Sequence, residues 1–203
     1  MLKRQSDLSR LMGYAGKHKY FTYSSWVLAA LSAFVALLPF IYIWKIVKEV
    51  LDVAPNFSEA VGLVKNGVMA MVFAVAAFLI YICALLCSHL AAFRVATNMR
   101  IATTKHIAKL PLGYVDSFGS GKLRKIINDS TGATENYLAH QLPDKYAAIA
   151  TPIGLLALLF IFDWRLGLLS LVPVILAFLI MSTMTGKRMA EKMKQYNNAL
   201  ENM

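Results

Sequence analysis

Few residues in this sequence have types and spacings that suggest chemistry, and most of those suggestions fail against their neighbours. Gly119-Ser120-Gly121-Lys122 invites a phosphate-binding reading. A phosphate loop, however, needs a Gly five positions before its second Gly and a Ser or Thr after the Lys. Asp116 and Leu123 hold those positions, so the segment is not a nucleotide site. Cys83 and Cys87 lie four apart in an apolar run. Residues one helical turn apart point along one face without disulfide geometry. With only His89 nearby they also fall short of a zinc ligand set. They read as buried thiols packed as small hydrophobes. No catalytic, cofactor or metal-binding residue is expected.

Three other side chains are candidates for a path through the molecule. His89 and Arg94 sit where an apolar segment approaches its end. Ionisable groups at membrane depth are functional by default, although Arg94 can snorkel to the interface and His89 can hydrogen-bond a neighbouring helix. Tyr42 and Tyr81, with Trp44, either line a cavity or anchor the interface. Tyr42, Tyr81 and His89 are the substrate-path candidates.

The elements that position these residues follow from composition. Hydrophobic residues make up 58% of 203, yet the net charge is +10, so the chain needs an apolar and an aqueous environment at once. Four runs meet the spanning criterion of about 17 to 25 apolar residues: 21–44, 67–93, 146–162 and 168–185. A soluble bundle would carry a polar stripe on each helix, whereas Val68 to Leu86 has no charge on any face. Pro39, Pro152 and Pro173 predict bends in the first, third and fourth runs; neighbouring helices re-satisfy the freed carbonyls. Ahead of the first run, Leu8, Leu11, Met12 and Ala15 recur with helical spacing among Arg10, Lys17 and other charges. This predicts an amphipathic helix in the headgroup region, within an N-terminal element of residues 1–20. No cleavable signal peptide is visible, because the first run is too long.

Orientation follows from the 21 Lys and Arg. Five precede the first span, three lie in 45–66, eight in 94–145, one in 163–167 and four at the end. The basic side is cytoplasmic, so both termini and the middle segment are expected there. The 45–66 loop balances its three lysines with Glu49, Asp52 and Glu59, as suits a translocated loop.

The middle segment is a stalk. No helix breaker appears between Gly67 and Pro111, which predicts a helix to about Leu110, roughly 65 Å long and about twice the hydrocarbon thickness. Val95, Met99, Ala102, Ile107 and Leu110 are its expected apolar contacts. After the Gly113–Gly121 breaker region, residues 122–145 return to the membrane.

In this order and spacing the chain resembles the transmembrane domain of an exporter-type ABC transporter. The resemblance rests on the amphipathic elbow, the extended second span, Leu110-Pro111 followed by Tyr114-Val115-Asp116, then Ser120-Gly121-Lys122-Leu123 with Asn128-Asp129. It continues through Gln141-Leu142-Pro143 to the short Asp163-Trp164-Arg165-Leu166 turn. It implies an all-α polytopic membrane protein with residues 21–203 forming four helices of a six-helix domain. The cytoplasmic hairpin is 94–145, and the setting is a bacterial plasma membrane. The implied partners are the lipid bilayer, a nucleotide-binding domain using ATP and Mg, and a second transporter half, identical or related. No nucleic acid is implied.

By the same resemblance, the hairpin tip docks on the nucleotide-binding domain through a short coupling helix at Phe118 to Ile127. Leu123 and Ile126 are its anchors, Lys122, Arg124 and Lys125 its charge, and Gly119 with Gly121 its turn residues. Asp129 and Asn128 help to hold the tip. Lys122 departs from the acid or carboxamide common at that position, and such basic tips resemble a branch that includes siderophore-type importers built on the exporter fold. Export is the first reading, siderophore-type import the second. A four-span membrane adaptor with a docking hairpin is the non-transport alternative. Neither the two remaining spans nor an ATPase domain is expected within these residues.

Overall fold

The computed structural model describes residues 7–56, 60–184 and 187–201. No strand occurs among them. Two compact units divide the chain, Met1–Gly154 and Leu155–Met203. Among the described residues four helical stretches are long and apolar enough to cross a membrane: Leu8–Val53, Leu63–Ile107, Ser120–Phe162 and Trp164–Ser182.

In the first unit α1 covers Asp7–Ala15, and a 3₁₀ turn at Gly16–His18 leads into α2, Lys19–Val35. Gly16 takes a positive φ of 55°, which glycine tolerates without steric cost. The helix α3 is Leu38–Val53. The first predicted span is thus two helices. Pro39 stands in the first turn of α3; it lacks an N–H, and its ring clashes with the carbonyl four residues back, that of Val35. The α-helix accordingly ends at Val35, and Leu37 N–H turns to the Phe34 carbonyl at 3.1 Å.

Helix α4 runs unbroken from Leu63 to Ile107, 45 residues. It begins four residues before the predicted start and stops short of Leu110, because the N–H groups of Lys109 and Leu110 bond only three residues back, to His106 and Ile107. Its N-terminus is held by Glu49 of α3, whose carboxylate accepts the Gly62 N–H at 2.5 Å. A negative group there suits the helix dipole.

What packs α2 on α4 is small size. The buried faces are Thr22, Ser25, Ala29, Ser32 and Ala33 on α2, and Ala77, Ala84, Ser88, Ala91, Ala92, Val95 and Ala96 on α4. Lipid is as apolar as leucine, so helices in a bilayer gain by bringing backbones close across small residues. The hydroxyls of Ser25 and Ser32 bond carbonyls of their own helix, Thr22 at 2.7 Å and Ala29 at 2.8 Å, which makes serine as acceptable as alanine in the seam.

Beyond Pro111 the chain forms α5, Leu112–Phe118, and then α6, Ser120–Asn136. A widened π turn, Tyr137–Gln141, joins α6 to α7, Leu142–Phe162. The return leg is therefore helical with one interruption, and α7 starts ahead of the predicted Tyr146. Pro152 and Pro173 lie inside continuous helices. At the π turn Ala15, Ala92, Val95, Leu138, Ala139 and Leu142 form a buried cluster, with Leu8, Met12, Trp26 and Met99 packed against it. Leu8, Met12 and Ala15 of the predicted apolar face of α1 thus pack on this cluster. The stacked rings of Trp26 and Tyr146, 4.7 Å apart, bring α7 to α2.

In the second unit α8 covers Trp164–Met184 and α9 covers Lys187–Glu201. Asp163 is the one residue between α7 and α8. Its carboxylate accepts the Arg165 N–H at 2.8 Å, an N-cap that starts α8 at once. Gly167 leaves room for the Phe160 ring across this turn, where an added Cβ would lie 2.9 Å from it. The predicted end of the fourth span at Thr185, and residues 1–6 of the N-terminal element, lie outside the described residues.

Candidate functional site

The hairpin tip is built from three pieces. The end of α4 supplies Thr103 and Ile107, α5 supplies Val115, and α6 supplies Leu123 and Ile126 around a cavity of about 240 Å³. Gly119 closes the tip with φ 76° and ψ 142°, a conformation a side chain would strain. Gly121, expected to share this role, lies inside α6 with no positive φ. The segment Phe118–Ile127 is thus split by Gly119 between the last residue of α5 and the first turns of α6. Its side chains also differ in direction. Leu123 and Ile126 line the cavity against their own chain, with Ile126 still 39% exposed. Lys122, Arg124 and Lys125 are exposed. The side chain of Phe118 lies outside the described residues. On α5 Leu112 is 84% exposed and lies outside the cavity lining, whereas Tyr114, 52% exposed, also lines the cavity.

Higher on the stalk, Arg100 of α4 donates from Nε to Thr131 Oγ1 at 3.1 Å, and its Nη2 lies 3.4 Å from Glu135 Oε2. Asp129 is exposed on α6, with no ion-pair partner among the described residues. Asn128 contributes its carbonyl to the Thr131 hydroxyl at 3.1 Å. Of the expected apolar contacts, Val95 is buried and Met99 packs beside it, while Ile107 and Leu110 line the tip cavity. Ala102 is exposed.

The path candidates separate. Tyr81 lines a cavity of about 470 Å³ with Ser32 and Pro39 from the α2–α3 break, Ala77 of α4 and Thr151 of α7. Its hydroxyl donates to Asp144 Oδ1 at 2.8 Å. His89 lies outside that cavity, edge-on to His140 of the π turn at 4.7 Å between ring centroids. Tyr42 lies outside that cavity too, stacked on Phe73 at 5.5 Å with the Lys45 ammonium 5.0 Å from its ring centroid. Cys83 is exposed and Cys87 half-buried, so neither is the buried thiol expected: α4 at this level turns that face away from α2. Among the described residues no group of three or more His, Cys, Asp or Glu could hold a metal ion.

A family model described as the ABC transporter transmembrane region matches residues 21–203. The chain belongs to that family. As an ABC transmembrane domain it is an integral membrane protein of a transporter. It is similar to the mycobactin import ATP-binding/permease protein IrtA of Mycobacterium tuberculosis, 32% identical over 83% of this chain and 20% of the relative. It is also similar to the protein of that name from Mycolicibacterium thermoresistibile, 29% identical over 82% of this chain and 18% of the relative. The chain spans about one fifth of the length of these relatives.

Several residues of this ABC transmembrane domain were not singled out from the sequence: Leu112, Arg100, Thr131, Glu135, His140 and Asp144. His140 and Asp144 had a readable signal, being ionisable groups at the edge of an apolar run. Arg100 had none, because one basic residue among eight on a hairpin looks like solvated charge.

Proposed function

We propose that this chain is part of the membrane domain of an ATP-driven importer of a mycobactin-type siderophore, with α4 and α6 carrying the stroke of an ATPase domain to the membrane segments. The observation that carries this reading is the tip. A 45-residue helix is followed by a short one whose first residue, Leu112, is 84% exposed. Exposed aliphatic surface of this kind, rimmed by charge, suits docking to a protein partner. The two relatives are named ATP-binding/permease proteins, which supports an ATPase domain using ATP and Mg as the occupant of that surface.

Import, the second reading from the sequence, is favoured over export by the relatives' names and by the basic Lys122 beside the tip. The cavity lined by Tyr81, whose hydroxyl is held by Asp144, is the proposed substrate contact, with a second transporter half completing the path. Ferric siderophore uptake is measured in proteoliposomes of the complete transporter, with ATP supplied on the side of the ATPase domain. ATP-dependent movement toward that side supports import. Movement away from it returns the reading to export, and ATP-independent behaviour returns it to an adaptor.

A further inference from the structure

Between the buried cluster and the tip, α4 and α6 are joined at one level by a directional contact. Thr131 and Glu135 are four residues apart on α6, so the Arg100 fork, at 3.1 Å and 3.4 Å, spans one turn of that helix. Thr131 is 2% exposed. Its hydroxyl proton is committed to the carbonyl of Ile127 or of Asn128, which leaves an oxygen lone pair facing Arg100. The pair with Glu135 is the one salt bridge among the described residues, on a hairpin that carries eight Lys and Arg.

Ser88 ties α4 to Ala139 at the membrane end, in the π turn, but from there to the tip the other contacts between the two legs do not fix their axial register. Ala92, Val95 and Leu138 pack through non-directional apolar contact, and the tip cavity leaves Leu123 and Ile126 loosely enclosed. A slip of α6 along α4 by one residue, about 1.5 Å, would largely preserve such contacts. The same slip would break both bonds of a planar guanidinium fork, whose donors lie at fixed positions.

We infer that Arg100, held by Thr131 and Glu135, is the register lock of the hairpin: a positioning residue that makes α4 and α6 move as one body. A displacement imposed at α5 then reaches the membrane segments instead of shearing the two helices. This inference rests on the coupling role proposed above.

The test uses the complete transporter in proteoliposomes, with substrate transported and ATP hydrolysed measured separately. Arg100→Ala, Arg100→Lys, Glu135→Gln and Thr131→Val are expected to lower the ratio of transport to hydrolysis by at least about threefold, the range of coupled neighbours, while hydrolysis continues. Glu135→Gln is nearly isosteric and carries the test if Arg100→Ala does not assemble. Arg100→Glu combined with Glu135→Arg should recover part of the ratio lost by each alone, which a merely space-filling role would not. An unchanged ratio in Glu135→Gln and Arg100→Lys overturns the register lock. Leu112→Asp, in the same assay, separates the two ideas. If it uncouples while the Arg100 and Glu135 variants do not, only the lock fails; if it too leaves the ratio unchanged, the coupling reading fails with it.

Discussion

The hydroxyl of Ser88 on α4 meets the carbonyl oxygen of Ala139 in the π turn at 2.7 Å. A π turn widens the backbone and loosens its own hydrogen bonding, so a carbonyl there needs a partner from outside. Ser88, 1% exposed, supplies it and ties α4 to the point where α6 becomes α7. Ser88→Ala leaves that carbonyl buried and unpaired, at an expected cost of about 1 to 3 kcal/mol. Thermal unfolding in lipid nanodiscs checks this: Ser88→Ala should lower the midpoint and Ser88→Thr should lower it less. Equal midpoints for Ser88→Ala and wild type would remove the role assigned to the bond.

The length of α4 was legible because a long helix is announced by what it lacks, and no proline occurs between Gly67 and Pro111. The break at Ala36 was only half legible. Pro39 marked a bend, but in a uniformly apolar run nothing says whether a proline kinks a helix or starts a new one. In this chain Pro39 falls in the first turn of α3 and ends α2, whereas Pro152 is accommodated inside α7. Leu123 and Ile126 were expected at a partner's surface because both are apolar on a basic tip. Their direction depends on the turn at Gly119, which brings α6 back beneath α5, and spacing along one helix does not reveal that. The α2–α4 seam escaped for a related reason, since alanine and serine carry little hydrophobic periodicity.

That seam makes the next expectation. Ala84 is fully buried, at 0% exposure, where α4 meets α2. A leucine there must push the two backbones apart, and overpacking of this kind costs about 1 to 3 kcal/mol or more. Ala84→Leu should therefore reduce the yield of folded protein and its resistance to proteolysis. Val75→Leu, at a position 50% exposed on the same helix, should do neither. Equal behaviour of the two variants would mean that close approach of α2 and α4 does not hold the unit together.

The sidedness argued from basic residues has a direct measurement. Ser120, Asn56 and Asn198 are all exposed, so a cysteine at each is reachable by a membrane-impermeant maleimide. The background must replace Cys83 and Cys87, because Cys83 is itself exposed. Cysteines at Ser120 and Asn198 should label only after the cytoplasmic side is opened, and one at Asn56 should label in intact cells. Labelling of Ser120 in intact cells reverses the orientation, and with it the direction assigned to any transport.

The tip gives the last expectation, in which two kinds of leucine should fail differently. Leu112 is 84% exposed on α5, so its removal costs this chain almost no packing. If it anchors an ATPase domain, Leu112→Asp should leave folding and thermal stability nearly unchanged and sharply lower transport per ATP hydrolysed. Leu123 instead lines the cavity beneath α5. Leu123→Ala enlarges that cavity and should cost roughly 1 to 2 kcal/mol, below the about 2 to 5 kcal/mol of a core leucine because the residue is only half-buried. Its effect on coupling should follow from a loosened α5, so it should weaken with cooling and be relieved by Leu123→Met, which refills the space. Lys122→Ala, at an exposed rim position, should change coupling little and in a salt-dependent way, since such a charge is worth about 1 kcal/mol or less. The ratio of transport to hydrolysis, measured with thermal stability for each variant, separates the two roles. If Leu112→Asp loses stability without losing coupling, α5 is packing for the hairpin and the docking surface lies elsewhere.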